Sequence, residues 1–520
     1  MSDHPDTPPT VRLQSLSGVL RRAALRHRDR PAILCGDMQW SYAEFDRLVD
    51  RLANGLAEAG IRPGDRIALI ARNSHAFIAL RFAVARADAV LVPINFMLNA
   101  EDVGYVLAHS GARLLFADID TIDVALAART PGIEAIYGLP GEALPAPSGI
   151  PAWDALFGAL TPRQETRGGG DLLQIIYTSG TESRPKGAML SHDAVLWEYQ
   201  SCIVDCEWTA DTIALHAMPL YHCAQLDCMI GPSLQVGGCN IITADPSPAN
   251  LLRLLAAHRA NSFFAPPTVW IGLLRHDAFD ATDLGALAKG YYGASIMPVE
   301  VLRELRARLP RLRLWNLYGQ TEIAPVATIL FPEEHAERLG SAGRPTLHVE
   351  TRIVDDAMAE VAVGEVGEIV HRSPQLLTGY WDDPVRTAEA FAGGWFHSGD
   401  LGWRDAHGYI TVVDRKKDMI KTGGENVASR EVEEALYAHP AVSEVAVIGL
   451  PHAKWIEAVT AVVVPRTGHV VDADMLAAHC AERLAAFKRP KAIHFRDALP
   501  RNASGKILKR ALREELAGGG

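Results

Sequence analysis

Apolar residues near the start of the chain recur at helical spacing, and short apolar runs follow them. Residues 41–60 place five apolar side chains on one face of a helix, namely Phe45, Leu48, Val49, Leu52 and Leu56. Ser41 and Glu44 have the spacing of a capping box, and Trp40 can pack on Phe45 across the helix start. Gly60 is a typical helix stop. The pattern therefore predicts a helix over 41–60.

The stretch after this helix continues the alternation of elements. A turn at 62–65 leads into the short apolar run 67–71, and a second amphipathic segment follows. Helix, turn and strand in this order indicate βα units around a largely parallel sheet. Residues 131–170 are rich in proline and glycine, which predicts a loop or linker.

Two later stretches have different patterns. Residues 348–371 alternate apolar and polar side chains, which predicts antiparallel strands in a small β subdomain. After Asp414 the pattern predicts a helix near 429–438, two strands over 442–450 and 458–465, and a helix near 473–486. The sequence thus predicts an α/β fold. A large N-terminal body of βα-layered sheets with a small β subdomain would cover 1–413, and a small α+β domain 414–520.

Composition narrows the class of protein. The 520 residues suggest three or four structural units, and 48% hydrophobic residues suffice for a large core. Lysine and arginine number 51 against 62 aspartates and glutamates, which argues against a protein held on nucleic acid or anionic lipid by bulk charge. Residues 414–520 differ, with 17 basic against 14 acidic side chains.

The cysteines and the apolar runs bear on location. Seven cysteines, an odd number without a CxxC pair, favour reduced core thiols over disulfides or a zinc site. The first residues lack a basic start followed by an apolar core, and the most apolar stretch, 77–94, is interrupted by charges. We therefore expect a cytoplasmic protein with neither a signal peptide nor a transmembrane helix.

A buried strand followed by a polar loop is the first chemical signal. The apolar run 172–176 leads into the segment 178–187, which is rich in glycine and hydroxyl side chains and contains Lys186. Backbone N–H groups and small hydroxyls can approach phosphate oxygens closely, and a lysine adds a positive charge. The segment is not a Walker A loop, and taken alone such a loop is also typical of an ordinary turn.

Five motifs in order carry a resemblance. They are YTSGTESRPKG at 177–187, YGQTE at 318–322, HSGDLG at 397–402, DRKKDMIKTGGENV at 414–427 and PRNASGK at 500–506. The chain resembles the adenylate-forming superfamily of acyl-CoA synthetases, peptide-synthetase adenylation domains and luciferases. The resemblance implies an AMP-forming ligase that uses ATP, Mg²⁺ and CoA to activate a carboxylic acid and transfer it to a thiol.

The resemblance also implies roles for individual residues. ATP or AMP would contact Thr178, Ser179, Gly180, Thr181, Lys186, Gly293, Ala294, Ser295, Tyr318, Gly319, Thr321, Asp400 and Arg415. Thr178 and Glu322 would hold Mg²⁺, and Asp400 would accept the ribose hydroxyls. Lys506 would bridge the carboxylate and α-phosphate oxygens, so that Lys506, Glu322 and Thr178 form the catalytic set.

In the same family the C-terminal domain turns between half-reactions. The resemblance implies a hinge at Asp414 and makes the domain 414–520 mobile. Its rotation would withdraw Lys506 and bring Gly423, Gly424 and Glu425 to the site, where small residues leave room for the pantetheine arm of CoA.

The segment 218–227 matches the part of the family that lines the acid pocket, together with Gly293 and Gly319. Amino-acid-activating relatives have an aspartate where this chain has His222, which argues against an α-amino acid substrate. Ala224 takes the place of a large aromatic residue of aryl-acid ligases and leaves room for an alkyl chain. We therefore expect a medium- or long-chain fatty acid. Glu182 replaces a commoner threonine in the phosphate loop, and its carboxylate should repel a triphosphate unless it turns outward or pairs with Arg184 or Lys186.

Two other functions remain open at this point. One is an enzyme that passes the acyl group to a carrier protein instead of CoA, and the other is a catalytically silent adenylate sensor. We expect small-molecule partners and no nucleic acid, and a homodimer is possible.

Overall fold

The computed structural model of the protein describes residues 13–178, 184–295, 297–466, 468–501 and 507–517. The helices of these residues are α1 (Leu16–Arg26), α2 (Tyr42–Glu58), α3 (His75–Arg86), α4 (Ala100–Ser110), α5 (Ile122–Ala127), α6 (His192–Asp205), α7 (Gly231–Val236), α8 (Pro248–Ala257), α9 (Pro267–Arg275), α10 (Val299–Arg308), α11 (Pro384–Ala390), α12 (Ser429–Tyr437), α13 (Ala473–Ala481) and α14 (Lys509–Ala517).

The strands are β1 (Pro31–Cys35), β2 (Met38–Ser41), β3 (Arg66–Ile70), β4 (Val90–Ile94), β5 (Ala112–Ala117), β6 (Ala135–Gly138), β7 (Leu172–Thr178), β8 (Lys186–Ser191), β9 (Ile213–His216), β10 (Cys239–Ile242), β11 (Ser262–Phe264), β12 (Lys289–Gly293), β13 (Arg313–Gly319), β14 (Val326–Leu330), β15 (Arg344–Pro345), β16 (Glu350–Val354), β17 (Gly367–Arg372), β18 (Gly379–Tyr380), β19 (Phe396–Arg404), β20 (Ile410–Arg415), β21 (Ile420–Thr422), β22 (Glu425–Val427), β23 (Val442–His452), β24 (Ile456–Pro465) and β25 (Ala492–Phe495).

Two large sheets form the N-terminal body. One has the order β15-β14-β13-β12-β11-β9-β10-β1-β2 and the other β18-β8-β7-β4-β3-β5-β6. Their central strands run parallel, and antiparallel strands lie at three of the four edges, the exception being β6. The smaller sheet β16-β17-β19-β20 is antiparallel throughout. The predicted α/β body with a small β subdomain is confirmed.

Helix α2 shows how closely local sequence sets an element. The Ser41 side chain accepts from the Glu44 N–H at 3.3 Å, and the Glu44 carboxylate accepts from the Ser41 N–H at 2.8 Å. Trp40 stacks on Phe45 with ring centroids 5.8 Å apart. The predicted capping box and apolar contact are both present, and the helix ends at Glu58, two residues before Gly60.

The stretch predicted as a linker is more ordered than expected. Residues 135–138 form β6, which pairs in parallel with β5 at the edge of its sheet, and Trp153–Leu156 forms a short 3₁₀ turn. A four-residue edge strand is too short to show a clear alternation of apolar and polar side chains, so the surrounding prolines and glycines dominated the prediction.

Helix α3 is buried along its whole length and shares one core with residues of both large sheets. It carries Arg81, whose guanidinium pairs with Asp227 and donates to Gln174, while Gln174 donates to Asp227 at 2.7 Å. The side chains of Arg81 and Asp227 are 1% and 0% exposed. Together with Gln174, this buried pair ties the π-helical segment Ala224–Ile230 to α3 and β7.

The C-terminal domain is built on the sheet β22-β21-β24-β23, with β25 added alongside β24. The predicted helix, two strands and second helix are present as α12, β23, β24 and α13, although α13 ends at Ala481. Arg430 of α12 donates to the carbonyl of Val412 and, at 3.1 Å, to that of Gly340. The domain therefore contacts the N-terminal body in this structure.

No described helix combines the length and the apolar character needed to cross a lipid bilayer.

Candidate active site

Strands β7 and β8 carry the phosphate-loop motif. They are antiparallel, and their register places Thr178 opposite Lys186, so the two residues face each other at the ends of the intervening loop. The loop residues Ser179, Gly180, Thr181 and Glu182 lie outside the described residues. The buried Thr178 hydroxyl has no hydrogen-bond partner among the described residues. Buried polar atoms are usually hydrogen-bonded, so this hydroxyl at the end of a buried strand is available to a ligand.

Lys186 is held by two residues from distant parts of the chain. Its ammonium nitrogen lies 3.1 Å from Glu322 Oε1 and donates to the Tyr380 hydroxyl at 2.6 Å. The same hydroxyl donates to Glu322 Oε1 at 2.9 Å. Burial and the neighbouring Glu322 carboxylate raise the pKa of Tyr380, so its phenol keeps its proton. Glu322 and the end of the phosphate loop are thus brought together, as the motifs predict.

These residues fit a divalent cation. Mg²⁺ prefers oxygen ligands and usually takes one or two protein groups besides the phosphates of its substrate. The Thr178 hydroxyl, which has no partner among the described residues, and the largely buried Glu322 carboxylate offer oxygen ligands of this kind. Their role as magnesium ligands remains a prediction.

A second cluster gathers Tyr318, Asp400 and Arg415. Asp400 Oδ2 accepts from the Tyr318 hydroxyl at 2.7 Å, and Oδ1 lies 2.7 Å from Arg415 Nε. Asp400 lies on β19 directly opposite Arg415 on β20, so the antiparallel register positions the pair. Burial and the Asp400 carboxylate raise the pKa of Tyr318. The structure joins the adenine and ribose residues that three separate motifs predict.

The glycines beside this cluster are required by close backbone approach. A Cβ on Gly293 would lie 2.3 Å from the Leu317 carbonyl oxygen, and one on Gly319 would lie 2.0 Å from that of Pro325. Ala294 adopts a left-handed conformation with φ of 62°. Ala294 and Ser295 directly follow β12, which runs parallel to the strand of Tyr318. Gly293 is buried, whereas Ala294, directly after the carboxyl end of β12, is exposed.

The segment expected to line the acid pocket leads into the π-helical turn. The His222 ring accepts from the Ala224 N–H at 3.2 Å. Between these residues, the Cys223 thiol donates to the Thr321 hydroxyl at 3.4 Å, and burial raises the pKa of that thiol. The segment thus contacts the residue that the resemblance assigns to the α-phosphate.

Two members of this site were missed by the sequence analysis. Cys223 lies between the predicted residues His222 and Ala224, and this position was the feature of the sequence that could have indicated it. No local pattern indicates Tyr380, because its partners Lys186 and Glu322 are 194 and 58 positions away in the sequence.

The predicted hinge residue has partners on both sides. The Asp414 carboxylate accepts from the N–H and the hydroxyl of Ser429, each at 2.7 Å, while its backbone pairs with Leu401 on β19. Gly423 and Gly424 form the turn between β21 and β22, and Glu425 is the first residue of β22; all three are exposed. A Cβ on Gly423 would meet the Trp455 ring at 3.2 Å. Lys506 lies outside the described residues.

Comparison with known proteins decides the family. The pattern of the family described as AMP-binding enzyme matches residues 20–381, and that of the AMP-binding enzyme C-terminal domain matches residues 431–506. The chain belongs to the AMP-binding enzyme family. This AMP-binding enzyme is 38% identical over 507 residues to a feruloyl-CoA synthase of Amycolatopsis sp, which covers 97% of this chain and 100% of that protein.

Two further comparisons cover nearly the whole chain. The AMP-binding enzyme is 34% identical to the long-chain-fatty-acid–CoA ligase FadD13 of Mycobacterium tuberculosis, over 92% of this chain and 94% of that one. The crystal structure of ATP-bound MatB from Rhodopseudomonas palustris superimposes with a TM-score of 0.88 at 30% identity, covering 96% of this chain and 99% of that chain. The expected family and fold class are confirmed, and the chain is an AMP-forming acyl-CoA ligase.

Proposed function

We propose that this ligase activates a carboxylic acid without an α-ammonium group as its acyl-adenylate and then transfers the acyl group to CoA. The observation that carries the proposal is the presence of two clusters, one of Lys186 with Glu322 and one of Asp400 with Tyr318 and Arg415. The first offers charge for a triphosphate, and the second offers a ring and a carboxylate for a nucleoside.

In the first half-reaction a carboxylate oxygen of the acid attacks the α-phosphorus of ATP, and pyrophosphate leaves. Catalysis of such a transfer depends on alignment and on stabilising the charge that develops on the phosphate oxygens. Lys186 would bind the β- and γ-phosphates, and Thr321 would donate to the α-phosphate. Bound Mg²⁺, held by Thr178 and Glu322, would neutralise phosphate charge.

Lys506 would act at the α-phosphate itself. An ammonium group that donates to both reacting oxygens stabilises the transition state more than the ground state. Removal of one such donor typically costs about 3 to 4 kcal/mol, or roughly two to three orders of magnitude in rate.

In the second half-reaction the thiol of CoA attacks the acyl carbonyl, and AMP leaves. We propose that the domain after Asp414 turns for this step and carries Gly423 and Gly424 to the acyl-adenylate. The excess of basic residues in 414–520 suits a cosubstrate with several phosphates.

For the acid, a medium- or long-chain fatty acid is supported by the small Ala224 beside His222 and by the similarity to FadD13. A hydroxycinnamic acid is the second candidate, because the 38% identical relative is named a feruloyl-CoA synthase. Both acids lack an ammonium group, in agreement with His222 at the position where amino-acid-activating relatives have aspartate.

The test is pyrophosphate release with a panel of acids, with and without CoA. Decanoate, palmitate, ferulate and phenylalanine separate the acid classes, and the acyl-CoA product is identified by mass spectrometry. We expect turnover with one of the first three and none with phenylalanine. Absence of signal with all acids would favour the adenylate sensor, and product formation with a phosphopantetheinylated carrier protein but not with CoA would favour the carrier-loading enzyme.

The two half-reactions can be separated at Lys506. We expect Lys506→Ala to lose acyl-adenylate formation while it still forms the thioester from supplied acyl-adenylate. Equal loss of both half-reactions would contradict this role.

A further inference from the structure

The segment 377–381 joins the phosphate-loop strand to the loop that carries Glu322. The Leu377 N–H donates to the Glu322 carbonyl at 2.8 Å. The N–H groups of Thr378 and Trp381 donate to Met189 and Gly187 of β8 at 2.9 and 2.8 Å. Since β8 begins at Lys186, one short segment sets the separation between Lys186 and Glu322.

Tyr380, the fourth residue of this segment, also connects Lys186 and Glu322 through its side chain. Its hydroxyl donates to Glu322 Oε1 at 2.9 Å and accepts from Lys186 at 2.6 Å. The Lys186 ammonium also lies 4.1 Å from the centre of the Tyr380 ring. The residue is 5% exposed, and its N–H donates to the Thr387 hydroxyl at 2.9 Å. The phenol is therefore fixed in place by both backbone and packing.

The contacts of Glu322 are unequal at its two oxygens. Among the described residues, Tyr380 and Lys186 both approach Oε1, which leaves Oε2 for another ligand. When a triphosphate draws Lys186 away, the Tyr380 hydroxyl still donates to Oε1. The carboxylate then keeps its orientation without its neighbouring cation.

We propose that Tyr380 is a positioning residue that orients the Glu322 carboxylate for the divalent cation of the nucleotide complex. This inference rests on the function proposed above. Tyr380 binds neither the acid nor the reacting phosphorus and acts through Glu322. Loss of its hydroxyl should weaken binding of the cation and leave binding of the nucleotide without metal almost unchanged.

The test compares Tyr380→Phe with Tyr292→Phe. Tyr292 is also buried, and its hydroxyl lies 2.9 Å from His335 Nε2, outside the two clusters, so it controls for the loss of a buried phenol hydroxyl. Mn²⁺ is titrated and followed by electron paramagnetic resonance at a saturating concentration of α,β-methylene-ATP, without acid. Affinity for the same analogue is measured separately in EDTA.

We expect Tyr380→Phe to raise the Mn²⁺ dissociation constant about tenfold, the size expected for one hydrogen bond to a charged group. Its affinity for metal-free nucleotide should stay within about twofold of wild type, and Tyr292→Phe should leave both constants unchanged. An unchanged Mn²⁺ constant in Tyr380→Phe, or equal losses with and without metal, would overturn the inference.

A second variant covers the case in which Tyr380→Phe is not recovered folded. Thr387→Val removes the hydroxyl that fixes the Tyr380 backbone, and it should weaken Mn²⁺ binding in the same direction. An unchanged constant would again overturn the inference. If the wild-type enzyme bound no nucleotide, the proposed function would be wrong. If the wild type bound Mn²⁺ and nucleotide and the variants bound both equally well, only the role of Tyr380 would be contradicted.

Discussion

Replacing Asp400 by asparagine tests the nucleoside site, because the change keeps the shape of the side chain and removes its charge. The carboxylate is 4% exposed and accepts from Tyr318 and Arg415, each at 2.7 Å. If it also binds both ribose hydroxyls, Asp400→Asn changes two hydrogen bonds to a charged group into bonds to a neutral amide. A charged bond contributes about 1.5–3 kcal/mol and a neutral one about 0.5–1.5 kcal/mol, a difference of roughly 1 kcal/mol each.

The two bonds together predict a loss of about 2 kcal/mol in ATP binding, or roughly a thirtyfold rise in the dissociation constant. The assay is isothermal titration with ATP in the absence of acid. Asp356→Asn is the matched control, because its highly exposed carboxylate belongs to the same subdomain and pairs only with exposed Lys416 among the described residues. An unchanged ATP dissociation constant in Asp400→Asn, in a variant that is folded under the assay conditions, would refute Asp400 as the ribose acceptor.

Three further predictions concern stability and packing. Gly319→Ala would place its Cβ 2.0 Å from the Pro325 carbonyl oxygen, so we expect the free energy of urea unfolding to fall by about 1–3 kcal/mol or more. The control Gly170→Ala, whose Cβ would lie in open space, should leave this free energy unchanged. Asp227→Asn leaves the buried Arg81 guanidinium without a charged partner, so we expect it to lower the free energy of unfolding by about 3–5 kcal/mol. The exposed Asp211→Asn should have almost no effect, and equal urea midpoints for the two variants would contradict this prediction. Burial lowers the pKa of His75, His192 and His216 to about 4 and that of His371 to about 3, whereas a histidine in the unfolded chain has a pKa of about 6.5. Because the unfolded chain then binds more protons below pH 6.5, we expect the stability of the fold to decrease as the pH falls from about 6.5 to about 4. A urea midpoint that stays constant over this pH range would exclude this prediction.

Local chemistry made part of this fold predictable. The capping box at Ser41 and Glu44 depends on side chains three positions apart, so the sequence contains all of its information. The alternation over 348–371 predicted the antiparallel pair β16 and β17 for the same reason. Short edge strands such as β6 were not predicted, because their formation depends more on the strand they pair with than on their own residues.

The site shows the same division. Asp400, Tyr318 and Arg415 were found through motifs, and the fold then brings them within hydrogen-bond distance. Tyr380 could not be found, since its importance comes from the position of its hydroxyl between Lys186 and Glu322. That position depends on β18 pairing with β8, a tertiary contact that local residue patterns do not encode.

The backbone and the side chain of Asp414 bond to two different parts of the molecule. Its backbone is a rung of the β19–β20 ladder in the N-terminal body, whereas its carboxylate is bonded to the first residue of α12 in the C-terminal domain. If the domain turns here, α12 can keep these bonds only by moving along an arc around that carboxylate. The angles between the two bodies would then be limited by a tether one side chain long to a narrower range than a free linker permits.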